Sequence, residues 1–302
     1  MPDLTIARRF NDTLAGVLDG YTADLQREWE RTRARLAEAL AARPLPRAVV
    51  RREFDALSER AAGIGRDYEG RVTNAVEAFV AAQLEGAGRF GEVADMDAIR
   101  REFRSDARRA ADDLLGGSPM WVDQFEMRFS GELGRMRLTG EDRAAMVDRL
   151  MSVEIVDGRA SVARSAKNSL ALEADLDLWT FAMGLTGMAF ERAQKRSQVR
   201  FQKQAIAAID HRTTDCCLRV HGQVQPLNSP FVLTGKPRFA NRLQGPPFHW
   251  RCRTAITLYT ADMENVGVPT SQMQDAARAE LRARLVTGTR VRIWPSHATS
   301  RR

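Results

Sequence analysis

Hydrophobic positions recur at helical spacing through the first two thirds of the chain. Leu14, Leu18, Tyr21, Leu25, Trp29, Leu36 and Leu40 form one stripe, interrupted at Thr32/Arg33. Arg43-Pro44-Leu45-Pro46 stops that helix, because proline lacks the amide and clashes with the preceding turn. A second stripe runs Val50, Phe54, Leu57, Ala61, Ile64, Tyr68, Val72, Val76, Phe79. Steps of three and four sustained this long predict a helix on the order of 55 Å, paired with the first as a hairpin. Gly63, Gly65 and Gly70 weaken it and offer points to bend. After a break at Gly86–Gly91, residues 95–115 predict another amphipathic helix, and Gly116-Gly117-Ser118-Pro119 separates it from one starting near Met120. Thr139-Gly140-Glu141-Asp142 reads as a helix start, and a further helix runs from about Ser161 through Leu178–Phe190 to Arg196.

Beyond Arg196 the period changes. Val199, Phe201, Lys203, Ala205, Ala207 and Ile209 alternate with their neighbours, predicting a strand, and Thr254–Tyr259 is a second candidate. Between them lies a turn-rich stretch with Gly222, Pro226, Pro230, Gly235, Pro237, Gly245, Pro246 and Pro247, too loop-rich to bury much core without a fastening. Pro269 and Ser271 open a last helix to about Leu285. Gly288 ends it, before a tail with Arg290, Arg292, Arg301 and Arg302. The expected architecture is therefore mainly α over residues 1–196 as an extended helical domain. A small α+β module follows over 197–268, with a helix and basic tail over 269–302.

Charge and chemistry concentrate in the last third. Residues 206–302 carry 14 Lys/Arg against 6 Asp/Glu, leaving 32 against 33 in residues 1–205, so the net +7 belongs to the C-terminal region. Every cysteine (Cys216, Cys217, Cys252) and every histidine (His211, His221, His249, His297) lies there too. Three cysteines, two adjacent, make a poor disulfide framework. Met1-Pro2-Asp3-Leu4 lacks a basic n-region and an apolar h-region, so no secretory signal is expected. The longest apolar-rich run, Leu178–Phe190, is too short to span a bilayer and reads as a buried core helix.

Cys217, His249 and Cys252 supply three soft or borderline ligands, and His249-x-x-Cys252 is a spacing that a turn can chelate. His221, on a Cys-x3-His spacing from Cys217, completes the four donors that structural zinc prefers. Cys216 is the weaker candidate, since adjacent side chains rarely converge on one ion. The competing reading makes the cysteines small buried hydrophobes and has His249 hydrogen-bond a loop carbonyl.

Two blocks frame these residues: Asp210-His211-Arg212-Thr213-Thr214-Asp215-Cys216-Cys217 with Gly222-Gln223-Val224 after it, and Pro246-Pro247-Phe248-His249-Trp250-Arg251-Cys252-Arg253 before a strand. The pair resembles the phage head-morphogenesis (Mu F-like minor head protein) family, whose members carry D-x-R-T-C-x-x-C-x-x-x-x-G-x-V followed by P-P-x-H-x-x-C-R. The likeness covers about 60 of 302 residues. Thr214 stands where the family's first cysteine falls, and Ala205 where a tryptophan is frequent. The resemblance implies a minor head protein that works by binding rather than turnover. Its partners would be portal and capsid or scaffold proteins, and it would be assembled in the host cytoplasm to reside in the capsid interior or at the portal vertex of the virion. Asp210, Arg212, Thr213, Gly222 and Arg253 are its motif positions, with Asp210 and Arg212 expected to order their loop as an ion pair or turn cap.

The basic excess adds a second expectation. Arg219, Lys236, Arg238, Arg242 and Arg251 can neutralise phosphates of double-stranded DNA without sequence preference, or present a basic face to acidic protein surfaces. A different class stays open. His211 and Asn241 faintly suggest a metal-dependent nuclease or toxin-like effector carried on a head-protein scaffold, without the pattern of a ββα metal fold.

Overall fold

Stripes of apolar residues become buried seams, and the protein is mostly helical with a small antiparallel sheet near its C-terminus. The computed structural model describes residues 4–42, 46–87, 95–114, 119–140, 142–152, 155–156, 159–209, 213–261 and 270–287. Among these lie α1 (Leu4–Ala42), α2 (Arg47–Ala87), α3 (Met96–Leu114), α4 (Met120–Thr139), α5 (Arg143–Met151) and α6 (Val162–Lys195). A two-strand ribbon, β1 (Ile155–Val156) and β2 (Arg159–Ala160), precedes α6. The C-terminal part holds β3 (Gln202–Ala207), α7 (Asp215–Val220), β4 (Val224–Pro226), β5 (Phe231–Val232), β6 (Arg242–Leu243), β7 (Thr254–Tyr259) and α8 (Thr270–Thr287).

Helix boundaries follow local chemistry. Asp95 Oδ1 accepts the Ala98 amide ahead of α3, and Asp142 Oδ1 accepts the Ala145 amide at the start of α5. Gly140 closes α4 in the left-handed region, its amide reaching Met136 O. Ser161 Oγ accepts the Arg164 amide and so opens α6. The glycines of α2 do not interrupt it.

By packing, the chain divides into two units that do not follow chain order. One comprises Leu14–Asn74 and Arg104–Phe181; the other comprises Met1–Thr13, Ala75–Phe103 and Ala182–Arg302. In the first, Phe54 meets Phe125 edge-on at 4.9 Å, and Phe129 and Trp29 complete an aromatic centre. Phe54, Trp29, Phe125 and Phe129 are all buried. The apparent break in the α1 stripe is itself buried: Thr32 sits in the seam, its hydroxyl accepting from Arg35 at 3.0 Å and Arg60 at 3.1 Å. Arg60 also pairs with Glu28 at 2.8 Å.

In the second unit Phe10 stacks on Phe79, and Ala7, Ile206 and Met273 share a core cluster. The sheet order is β4-β3-β7, with Ala205 opposite Ile256 and Gln204 opposite Val224. Alternation in the sequence predicts a half-exposed β3, but both of its faces are covered. Lys203 and Gln204 are buried with partners, Lys203 Nζ donating to Gln244 O at 2.7 Å and Gln204 Nε2 to Thr270 Oγ1 at 3.2 Å. Among the described residues no helix is long and apolar enough to cross a membrane.

Candidate metal centre

The two motif blocks meet beside the sheet. Thr214 precedes α7 in extended backbone, which puts Cys216 and Cys217 in the first turn of that short helix. The second block runs through a loop containing the cis Pro246–Pro247 peptide and the left-handed Arg251 before entering β7. This loop carries His249 and Cys252 to α7. His249 Nε2 lies 3.0 Å from Cys217 Sγ, and Cys217 Sγ lies 3.8 Å from Cys252 Sγ. The donor atoms of Cys216, Cys217 and His249 all fall within 4.8 Å of one another, a group that can hold a metal ion. All four residues are buried, and the three cysteines are free thiols.

Three properties fit this donor set to a metal. Two thiolates on a tetrahedral ion with bonds of about 2.3 Å stand about 3.8 Å apart, the separation of Cys217 and Cys252. His249 Nδ1 donates to Trp250 O at 2.6 Å, which fixes the ring and leaves Nε2 facing the sulfurs. The third property is electrostatic. Hydrogen bonding from Cys217 holds the Cys216 thiol down at about 6. Burial favours the neutral Cys252 thiol, yet contacts from Cys217 and His249 outweigh it and hold Cys252 well below the ordinary range. Burial likewise works against a charged His249, but Cys252 and Cys216 raise it to about 9. Burial pushes Cys217 the other way, upward. Thiolates forced into a closed site call for a cation, which a divalent ion supplies more fully than one imidazolium does.

Cys217, His249 and Cys252 are therefore brought together, and the residue that joins Cys217 and His249 in the group able to hold a metal ion is Cys216 rather than His221. His221 is not in the group. It would share a face with Cys217 only if α7 continued, and α7 ends at Val220, with His221 in extended backbone (φ −56°, ψ 128°). Its Nδ1 instead accepts the Ala207 amide at 3.0 Å, and burial lowers its pKa to about 4. Cys216 takes the neighbouring place. Adjacent residues on a helix point about 100° apart, so both can flank one point at the helix end, whereas on an extended strand they would oppose. A helical reading of Asp215–Val220 is the signal that would have singled out Cys216.

The remaining motif residues brace the site. The Thr213 hydroxyl donates to Ala208 O, and Thr213 O accepts from Arg284 on α8. Gly222 takes φ +77°, and an added Cβ would lie 3.2 Å from Met273 Cβ and 3.4 Å from Thr270 O, so only glycine suits its seat on α8. Arg253 O accepts from the Ala208 amide and from Asn11 on α1. Asp210, His211 and Arg212 lie outside the described residues, as do the tail arginines. Arg219 pairs with Asp215 at 2.9 Å, while Lys236, Arg238, Arg242 and Arg251 are exposed. Comparisons with protein-family models, curated proteins and solved structures found no match.

Proposed function

We propose that the chain is a minor head protein of a tailed phage or prophage, acting in head morphogenesis by binding portal and capsid or scaffold proteins. The observation that carries this reading is the meeting of Cys217 with His249 and Cys252, residues from the two blocks on which the family resemblance rests. Zinc is the metal the donors favour, because its closed tetrahedral sites are built from thiolate and imidazole ligands. Burial of every donor leaves no open position for a substrate, which favours a fastening over a catalytic metal. DNA contact would fall to the exposed cations of the C-terminal region.

Partner binding has a candidate face on α4. Met120, Met127 and Leu138 are exposed, and their spacing brings them within about 20° of one line along the helix, opposite the buried Trp121, Phe125 and Phe129. Co-expression of the full chain with the portal and shell genes of its own genome, followed by affinity capture, tests the reading. A stable complex with a head protein is the expected result. Failure to retain any head protein, together with metal-dependent nicking of plasmid by the purified chain, would replace it with the nuclease or effector alternative.

A further inference from the structure

Between β5 and β6 the chain leaves the sheet region as a hairpin with an aromatic, basic tip. Phe231 pairs with Leu243 and Val232 with Arg242, and the Leu233 amide donates to Asn241 O at 2.8 Å. Within that loop Phe239 is 40% exposed, and Trp250, next to His249, is 42% exposed beside it. Their rings meet edge to face, with centroids 5.4 Å apart. Single exposed apolar side chains are ordinary, but two large rings sharing one exposed site are not.

The segment itself carries charge of one sign. From Cys216 to Ala261 the chain has no Asp or Glu and six Lys/Arg. Asp215 offsets Arg219. Lys236, Arg238 and Arg242 are exposed within three residues of Phe239, and exposed Arg251 follows Trp250. The hairpin is also held in place. Gly235 (φ +86°) rests so closely on the Asp215–Arg219 pair that a Cβ would stand 2.3 Å from Asp215 Oδ2. Gln223 makes paired bonds with the Val232 backbone, accepting at 2.8 Å and donating at 3.1 Å. Trp250 O is anchored by His249, whose own contact with Cys217 ties the platform to α7.

Cations and open ring faces together discriminate among anionic partners. Duplex DNA offers phosphates but keeps its bases stacked inside, and an acidic protein surface offers carboxylates without planar faces. An unpaired strand offers both phosphates and bases. We infer that this tip is a binding surface for single-stranded nucleic acid, with bases stacking on Phe239 and Trp250 and phosphates met by Lys236, Arg238, Arg242 and Arg251. The inference rests on the reading of the C-terminal cations as a nucleic-acid surface and specifies the form of the ligand.

The test uses the purified full-length chain and fluorescence anisotropy with oligothymidylate of about 20 nucleotides, a duplex of equal length, and polyglutamate as competitor, at about 0.15 M salt. Oligothymidylate should bind at least about tenfold tighter than duplex. Phe239→Ala should weaken strand binding about 5- to 100-fold and leave duplex binding unchanged. Phe239→Trp should restore it, and Arg238→Ala with Arg242→Ala should weaken both ligands. Phe239 is not itself a donor and belongs to the other loop, so its variants report on the platform even if Trp250→Ala disturbs the cluster. Equal affinity for strand and duplex, with Phe239→Ala silent, would overturn the inference while leaving a duplex-binding surface. Binding to neither would overturn both, and competition by polyglutamate equal to that by oligothymidylate would assign the tip to an acidic protein. None of these outcomes depends on capture of a head protein.

Discussion

Acidification should unfasten the C-terminal sheet through His221 before any catalytic or partner-binding question arises. His221 is buried, its Nδ1 accepts the Ala207 amide of β3, and burial lowers its pKa from the ordinary 6.5 to about 4. The folded state thus binds this proton less readily than the unfolded chain does. The stabilisation it represents is present above 6.5 and is lost as pH falls through 4. At about 1.4 kcal/mol per pH unit, the full shift amounts to about 3 kcal/mol, an upper bound comparable to a sizeable share of a domain's stability. His221→Gln keeps an acceptor for the Ala207 amide and removes the titration. Cys216, held at about 6, titrates in the same window, so the quantity to measure is the difference between wild type and variant. Chemical denaturation at several pH values, followed by hydrogen exchange of the β3, β4 and β7 amides, gives it. The wild type should lose more stability than the variant between pH 6.5 and 4. Parallel pH profiles for the two proteins, or the His221 imidazole titrating near 6.5 by NMR, would refute the reasoning.

The opposite dependence is expected in the other unit, where burial raises Glu173 to about 7 and Asp177 to about 6. Their folded forms hold protons that the unfolded chain releases, so stability there should fall as pH rises through 6 to 7. Glu173→Gln should raise the melting temperature at pH 8, a result read by calorimetry. Phe54→Ala removes a buried ring packed edge-on against Phe125 and should cost about 3–5 kcal/mol by urea denaturation, with metal content unchanged. Cys252→Ser should abolish metal retention and speed exchange of β7 amides, leaving the α1–α2 amides near Trp29 as protected as before.

Much of this fold can be read from side-chain period alone, because α1 and α2 each bury one stripe, while the apolar run of α6 is buried nearly all round. Where reading failed, a polar residue had found a partner that sequence spacing does not reveal. Thr32 looks like a gap in the α1 seam until Arg35 and Arg60 are seen to satisfy it. Lys203 stands out as a charge on the apolar face of β3, and Gln204 looks solvent-facing, until Gln244 and the first residue of α8, Thr270, are seen to satisfy them. The site shows the same limit. The pairing of Cys217 with His249 and Cys252 was legible from spacing, but choosing between Cys216 and His221 required knowing that α7 begins at Asp215 and ends at Val220. Nor does period show that Ala7, near the start of α1, shares a core with Ile206 and Met273, since that contact spans nearly the whole chain.

The claim on which the module's function rests is that Cys216, Cys217, His249 and Cys252 hold a structural metal. X-ray absorption on the full-length protein, expressed with zinc supplied and purified without chelator, tests it most directly. Zinc at about one equivalent per chain, in a shell of three sulfurs at about 2.3 Å and one nitrogen at about 2.0 Å, is the expected result. A metal-free protein with its three thiols intact would contradict it and return the cysteines to the role of buried core residues.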